Sequence, residues 1–362
     1  GPDAGTQAEA AYRAILEVLG AQGGDSGAVL SESVFLRSLA RDLEPVRAAR
    51  QRVVGPHATR PATTEIEQRP LGGAQLELSA HAVLPHAGAL DLERVSARTA
   101  CRCEACVAAH GLQLRLGSER RFQAAGLFGA GDDAYAQTHA MFETAEALLH
   151  EAGLAFDDVV RTWIHLRAMD RDYASLNRAR REFFAARRID PPPASTGIGG
   201  GPAPSRHDLS LAVHAIRTDA GAPPRSIMTT PTLNEAPVYG SDFARGMRVD
   251  ESNKVALHVS GTASIDETGD SVHREDFDAQ VDRMLVNVAA LLERQGAGFG
   301  DVVSAITYLK RPADAERLRE KLCAAGFEGF PNVLVEAAVC RPELLCEVEA
   351  LAVLPCGGAD AG

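Results

Sequence analysis

A threefold internal repeat constrains the fold of this 362-residue chain more than any other feature of its sequence. Residues 157–170 (DDVVRTWIHLRAMD) are similar to residues 300–314 (GDVVSAITYLKRPAD), and each segment follows an amphipathic helix that ends on a glycine. Residues 28–42 (AVLSESVFLRSLARD) form a third copy near the start of the chain. Three segments of one pattern predict three structural units of one kind.

The three copies also share the same order of predicted elements before and after this common segment. First helices are predicted at 8–20, 136–153 and 279–296, and second helices at 43–53, 173–187 and 313–325. A strand pair then closes each copy, ending at residues 85, 217 and 355. Hairpins with alternating apolar residues precede the second and third copies at 112–129 and 243–264, whereas the first copy has no such hairpin. Each unit is therefore predicted as β-β-α-β-α-β-β, with an incomplete first copy.

We predict an α+β fold of three like units in a pseudo-threefold arrangement, with helices packed outside mixed sheets. The boundaries are 3–90 for the incomplete first unit, 91–111 for a cysteine-containing linker, 112–220 for the central unit and 236–356 for the third unit. Ligand sites are expected in the clefts between neighbouring units.

Charge and cysteine content exclude several classes of protein. The net charge of −12 disfavours a nucleic-acid partner, because phosphate binding needs a basic face. No apolar run is long enough to span a membrane, and no signal peptide pattern opens the chain. Seven cysteines at uneven spacing are typical of reduced thiols in a cytoplasmic protein rather than of a disulfide framework.

Two carboxylates in the apolar closing strand are the strongest candidate site residues. Residues 345–354 are apolar except for Glu347 and Glu349, which strand alternation places on one face, roughly 7 Å apart. Alignment of the copies sets Glu77 and Ser79 against this pair in the first copy, and Leu209 and Leu211 in the second. A solvent-facing strand edge would explain the acids without function, but apolar neighbours on both faces favour a central strand and a functional pair.

Two further stretches could bind a ligand. In the strand at 160–167, Arg161, Trp163 and His165 share one face, which is either an anion-binding wall or a solvated basic surface. The glycine-rich turn at 196–201 lacks the helix that a phosphate-binding loop needs. It is either a place where backbone N–H groups approach a ligand closely or a flexible surface turn.

A compact cysteine cluster allows a metal site. Cys101, Cys103, Cys106 and His110 could bind zinc as a Cys3His set, although loose thiols are the default interpretation of this spacing, and the overall prediction is no metal.

Short motifs in the second and third copies resemble a known family. The repeat unit looks like the Rid (YjgF, chorismate-mutase-like) fold, whose usual members are homotrimers with ligand sites between subunits. Four motifs resemble the chorismatase family more narrowly: PASTGIGG at 193–200, YGSDFARG at 239–246, SGTAS at 260–264 and CRPELLCEVE at 340–349. The resemblance covers roughly 112–355 and implies a monomer with a pseudo-trimeric core, acting on chorismate without a cofactor.

The resemblance also implies roles for individual residues. The family's catalytic acid falls on Glu347, and two positions that sort products within the family fall on Gly261 and Cys340. Members with Gly and Cys there resemble enzymes that form 3-hydroxybenzoate and pyruvate, whereas members with Ala at the first position look like hydrolases that form a dihydroxy-cyclohexadiene carboxylate. Mixed 3- and 4-hydroxybenzoate products are a further possibility.

The residue chemistry agrees with these roles. Cleavage of an enol ether begins with protonation of its methylene carbon, which needs a carboxylic acid with a raised pKa. Burial and a second carboxylate on the same face raise a pKa, although Glu349 could also face water. The expected substrate contacts, led by two arginines for the dianion, are Arg161, Arg245, Lys310, Tyr239, Thr196, Gly197 and Ser264.

Two functions of other classes remain as alternatives. A Rid-type imine or enamine deaminase would have an arginine directly after Phe330-Pro331, where this chain has Asn332 and Val333. A metabolite-binding protein would need no buried acid.

Overall fold

The computed structural model describes residues 1–55, 61–84, 90–99, 101, 109–203, 206–221, 225–235 and 242–356. Within them the chain forms three mixed sheets and six α-helices, as predicted for an α+β fold. None of these helices is long and apolar enough to cross a membrane.

The elements fall into three groups along the chain. The first unit consists of α1 (Ala4–Ala21), β1 (Val29–Leu36), α2 (Leu39–Val54), β2 (Ala62–Glu67), β3 (Arg69–Pro70) and β4 (Leu76–Ala82). The central unit consists of β5 (Asp91–Ala97), β6 (Ala109–Leu116), β7 (Glu119–Leu127), α3 (Ala134–Glu151), β8 (Val159–Leu166), α4 (Met169–Arg187), β9 (Ala194–Gly199), β10 (Gly201–Pro202) and β11 (Leu209–Thr218). The third unit consists of β12 (Arg225–Ile227), β13 (Gly246–Asp250), β14 (Lys254–Ala263), α5 (Phe277–Glu293), β15 (Val302–Leu309), α6 (Ala315–Ala324), β16 (Asn332–Glu336) and β17 (Cys346–Pro355).

The repeat predicted from the sequence is confirmed by the sheet topology. The central sheet has the order β5-β6-β7-β11-β8-β9, and the third has the matching order β12-β13-β14-β17-β15-β16 with β3 added at its edge. In the first unit, β4-β1-β2 corresponds to the last three strands of the other two sheets. No counterpart of the β6–β7 and β13–β14 hairpins occurs among the described residues of the first unit.

Local sequence explains why each unit begins its first helix where it does. Asp3, Asp133 and Asp276 precede α1, α3 and α5, and each carboxylate accepts a hydrogen bond from the backbone N–H three residues later. These side chains satisfy one of the N–H groups that a helix leaves without an intrahelical partner.

Part of the expected linker belongs to the central sheet. Strand β5 lies within the stretch 91–111 and pairs antiparallel with β6 from Asp91–Arg115 to Ala97–Ala109. The poor match of residues 91–97 to the repeat therefore did not indicate irregular structure.

Short backbone pairings join the three units in a ring. Strand β10 of the central unit pairs with β2 of the first unit, and β3 of the first unit pairs with β16 of the third. The third junction includes two backbone hydrogen bonds between the central and third units, from the Gly199 N–H to the Ala338 carbonyl at 2.8 Å and from the Ala244 N–H to the Pro193 carbonyl at 3.0 Å. Each unit thus covers the edge strand of the next, which gives the pseudo-threefold arrangement its closed form.

The apolar cores follow the same plan. In each of the three units, one apolar cluster lies between the helices and the sheet. A further cluster contains Phe35 of the first unit, Ile198 of the central unit and Tyr308 of the third, so it joins the units at the centre of the molecule.

The hydrogen-bond register corrects one alignment made from the sequence. Glu77 pairs with Phe35, Ser210 with His165 and Glu347 with Tyr308, at equivalent places in the three sheets. The equivalents of Glu347 and Glu349 in the second copy are therefore Ser210 and Ala212, and the expected Leu209 and Leu211 are wrong by one residue. A one-residue shift moves a side chain to the opposite face of the sheet.

Substitution of Gly199 tests the junction between the central and third units. A Cβ at this position would lie 2.8 Å from the Ala338 carbonyl oxygen and 2.9 Å from its nitrogen, both backbone atoms. We expect G199A to lower the free energy of unfolding by about 1–3 kcal/mol, measured by urea denaturation. Gly20, in α1, has open space around it, so G20A should be neutral or stabilise by up to about 1 kcal/mol. Equal stability of G199A and the wild type would contradict the tight junction.

Candidate active site

A pocket of about 260 Å³ lies between the central and third units. Helix α4 and strand β9 of the central unit form one side, and β14, the start of β17 and the loop before it form the other. The side chains that carry its chemistry are Tyr173, Asn177, Arg180, Arg245, Cys340, Arg341 and Glu347. The sequence predicted clefts between neighbouring units, and this pocket lies in one of them.

Among the described residues that line this pocket, one side chain is a carboxylic acid, Glu347. Strand β17 lies between β14 and β15, so the acid is in a central strand and only 4% exposed. Burial, assisted by the negative charge of Glu349, raises the pKa of the Glu347 carboxyl to about 8, against the opposing effects of Arg161 and Arg245. The interpretation as a solvated strand edge is wrong, and Glu347 is suited to donate a proton near neutral pH.

Gly261 makes room for the Glu347 carboxyl group. A Cβ on Gly261 would lie 2.0 Å from Oε1 of Glu347, closer than any non-bonded contact allows. The Gly261 N–H donates to Oγ1 of Thr196 at 3.0 Å, which ties β14 to β9 beside the acid. The identity of residue 261 and the position of the acid are therefore coupled.

Arg161 lies behind the pocket wall rather than on the pocket. Its Nη2 donates to Oε2 of Glu349 at 3.0 Å and to Oγ1 of Thr196 at 2.6 Å, and its guanidinium lies 4.9 Å from the centre of the Trp163 ring. The solvated basic surface considered from the sequence is wrong, because Arg161 is 2% exposed and His165 is 5% exposed. The expected substrate arginine is thus already engaged by a protein carboxylate.

The other expected contacts divide into two groups. Arg245 and Gly197 line the pocket, and Arg245 is oriented by hydrogen bonds from Nε and Nη2 to Asn234. Lys310 donates to the Pro342 carbonyl and Ser264 to the Val272 carbonyl, so neither side chain reaches the pocket. The position of Tyr239 lies outside the described residues.

Cys340 lines the pocket as a thiol. Burial, and then the nearby Glu347, raise the pKa of its side chain to about 12. A thiol with so high a pKa cannot accept a proton as a thiolate near neutral pH, so its contribution is its shape and its weak S–H donor.

Helix α4 contributes three pocket side chains that were not predicted from the sequence. Tyr173, Asn177 and Arg180 lie at i, i+4 and i+7 on one face of this helix and point to the pocket, where Arg180 is 3% exposed. This spacing was visible in the sequence, but only the docking of the third unit shows that this face is covered.

The glycine-rich segment is a strand rather than a turn. Residues 194–199 form β9, which pairs in parallel with β8, so the flexible surface turn is wrong. The absence of a side chain at Gly199 lets Ala338 of the third unit approach this strand closely, whereas a Cβ at Gly197 would meet the Tyr173 ring of α4 in the same unit.

Comparison with known proteins identifies the family of this fold. The model of the endoribonuclease L-PSP family matches residues 119–216 and 241–354, which is more than half of the chain. The chain belongs to the endoribonuclease L-PSP family. The two matched segments coincide with the central and third units, and the first unit lies outside them.

Two relatives match about a quarter and a third of this L-PSP family chain. A RutC family protein of Pyrococcus abyssi is 36% identical over 98 residues, 26% of this chain and 76% of the relative. A RutC family protein of Saccharolobus solfataricus is 28% identical over 120 residues, 33% of this chain and 91% of the relative.

One solved structure matches the L-PSP chain over nearly its whole length. A crystal structure of a chorismatase covers 90% of this chain and 93% of its own, with a TM-score of 0.64 and 18% identity. The three-unit architecture of this chain is therefore that of a known fold. A RidA structure from the bacterium Psychrobacter covers 36% of this chain and 99% of its own, with a TM-score of 0.31 and 24% identity.

The possible zinc site in this L-PSP family chain stays a prediction. Cys103 and Cys106 lie outside the described residues, and Cys101 packs against Phe128. Among the residues that the structure describes, no group of three or more His, Cys, Asp or Glu side chains could hold a metal ion.

The raised pKa of Glu347 predicts a pH-dependent cost to stability. Because the folded protein retains this proton between the ordinary pKa of 4.5 and about 8, wild-type stability should fall as pH rises through that window. The variant E347Q removes this loss, so its stability relative to the wild type should increase between pH 5 and pH 9, on the order of 3 kcal/mol. Urea denaturation at pH 5, 7 and 9 measures the difference, and E93Q, at an exposed position, should follow the wild type. Parallel pH profiles for E347Q and the wild type would contradict the raised pKa.

Proposed function

We propose that this protein is a chorismatase that converts chorismate to 3-hydroxybenzoate and pyruvate. The observation that carries the proposal is a buried carboxylic acid, Glu347, facing a pocket that also contains Arg180, Arg245 and Arg341. A protonated acid beside several guanidinium groups suits an anionic substrate that must receive a proton. The similarity in fold to a solved chorismatase supports the same reaction.

The acid supplies the first chemical step. Glu347 donates its proton to the terminal methylene carbon of the enolpyruvyl group, which becomes a methyl group attached to an oxocarbenium carbon. Burial keeps the acid protonated near neutral pH, and the substrate's carboxylates keep their charge because the arginines pair with them. Chorismate contains the same atoms as 3-hydroxybenzoate and pyruvate together, so the conversion consumes no co-reactant.

The three arginines fit the two carboxylates of chorismate. Arg180 approaches from α4 of the central unit, whereas Arg245 and Arg341 belong to the third unit. Arg341 is oriented by donation to the Gly269 carbonyl at 2.8 Å and to Oγ of Ser271 at 3.1 Å. Cations on both sides of the cleft would fix the ring and the enolpyruvyl group relative to Glu347.

Gly261 and Cys340 would direct the intermediate to the aromatic product. In this route the ring hydroxyl oxygen attacks the neighbouring ring carbon, the bond from that carbon to the ether oxygen breaks, and pyruvate leaves as the hydroxyl proton returns to Glu347. The resulting epoxide then opens, and transfer of a ring proton to its oxygen makes the ring aromatic. In the alternative, water adds to the oxocarbenium carbon, the hemiketal loses its bond to the ring oxygen, and the products are pyruvate and the dihydroxy-cyclohexadiene carboxylate. Cys340, a half-buried thiol that lines the same pocket as Glu347, would help to exclude that water.

Incubation of the purified protein with chorismate tests the reaction, with products separated by chromatography and pyruvate measured separately. We expect equal amounts of pyruvate and 3-hydroxybenzoate. The variant E347Q should lose turnover by about 10²–10⁴-fold, because it removes the proton donor. The matched control is E77Q, since Glu77 is the register equivalent of Glu347 in the first unit, and it should retain wild-type turnover. Absence of pyruvate from the wild type, or an active E347Q, would exclude the proposal.

Residue 261 should control the product ratio. Because a Cβ there would overlap the Glu347 carboxyl group, G261A should move the acid and shift products from 3-hydroxybenzoate towards the dihydroxy-diene acid. Total pyruvate release reports the remaining activity, and the ratio of the two ring products reports the change. An unchanged ratio in an active G261A protein would remove the role of Gly261 in product choice.

A further inference from the structure

The second carboxylate of β17, Glu349, is held by residues of two units. Its Oε1 accepts a hydrogen bond from Nε1 of Trp163 at 2.7 Å. Its Oε2 accepts from Nη2 of Arg161 at 3.0 Å and from the hydroxyl of Tyr308 at 3.3 Å. With 6% exposure, an ion pair with Arg161 and two further hydrogen-bond donors, the Glu349 side chain is held in a fixed position.

Glu349 does not line the pocket of Glu347. It lies instead on the wall of a separate cavity of about 420 Å³ at the centre of the three units, together with its three donors. Any effect of Glu349 on the reaction therefore passes through another residue. The nearest chemistry-bearing neighbour on its own strand is Glu347, two positions away and on the same face.

Resting on the proposed function, we propose that Glu349 is a positioning residue whose fixed negative charge keeps Glu347 in its protonated, proton-donating form. Arg161, Trp163 and Tyr308 form a cradle that holds this charge in place. The two carboxyl groups lie roughly 7 Å apart along the strand, and both are buried, so solvent screens their repulsion poorly. Ionisation of Glu347 would place a second negative charge beside the first.

Other groups around Glu347 set the size of this effect. The titratable and charged groups that face it are Arg161 on β8, Tyr173 and Arg180 on α4, Arg245 before β13, Tyr308 on β15, Cys340 and Arg341 before β17, and Cys346 on β17. Arg161 and Arg245 favour the ionised form of Glu347, whereas burial and Glu349 oppose it. Because Arg161 is paired with Glu349, loss of Glu349 would also leave this cation to attract Glu347.

The cradle crosses the interface between units. Arg161 and Trp163 belong to β8 of the central unit, whereas Glu349 and Tyr308 belong to the third unit. The proton-donating state of the acid therefore depends on the docking of the central unit against β17.

The pH profile of E349Q tests this role. We expect the basic limb of kcat/KM for chorismate to move down by about one to two pH units, with activity at pH 5 within a few-fold of the wild type. In E349D, which retains the charge, the basic limb should lie close to its wild-type pH. A merely structural role would reduce the rate by the same factor at every pH, and an unmoved limb would overturn the proposal.

A measurement without substrate separates this proposal from the proposed function. The titration of the Glu347 carboxyl group is followed by ¹³C NMR of glutamate-labelled protein, with the signal assigned by its loss in E347Q. Its midpoint should be lower in E349Q than in the wild type. The double variant E349Q/R161Q removes the buried pair together and should give an intermediate midpoint, which covers the case in which E349Q does not fold. Equal midpoints would refute the role of Glu349, whereas lack of chorismate turnover with shifted midpoints would refute only the proposed reaction.

Discussion

The closed ring of backbone pairings between units is the constraint on which the site depends. Each unit offers an edge strand that the next unit covers, at β10–β2, at β3–β16 and at the hydrogen bond from Gly199 to Ala338. The last of these brings β9 against the loop that leads into β17, so Gly197 and Cys340 line the same cleft. Together with the hydrogen bond from Gly261 to Thr196, this pairing holds the central unit against β17 as the opposite wall, which buries the acid and raises its pKa.

Much of the fold could be predicted from the sequence because its signals are local. The glycines that end α3 and α5, the alternating hairpins and the repeated segment all depend on residues close together in the chain, and the structure confirms them. The burial of Glu347 was also predictable, since apolar residues on both sides of an acid indicate a central strand.

The sequence failed where a contact joins distant segments. The pairing of Arg161, a predicted substrate contact, with Glu349, 188 residues away, was not foreseen. The face of α4 that carries Arg180 was missed because it is defined by the unit that docks on it. The alignment was wrong by one residue at Ser210 because its apolar neighbours, Leu209 and Leu211, fit the apolar pattern of the repeat. Only the hydrogen-bond register shows which face of the sheet each residue occupies.

The joining of three units in one chain has a consequence for how such a site can arise. In a ring of identical subunits every substitution is made three times, so no cleft can change alone. Here the equivalents of Glu347 are Glu77 and Ser210, and Leu334 occupies the place in the third unit that Gly197 has in the central unit. One cleft could thus acquire a buried acid, at a cost in folding energy, while the other two were left to supply the stability that tolerates it.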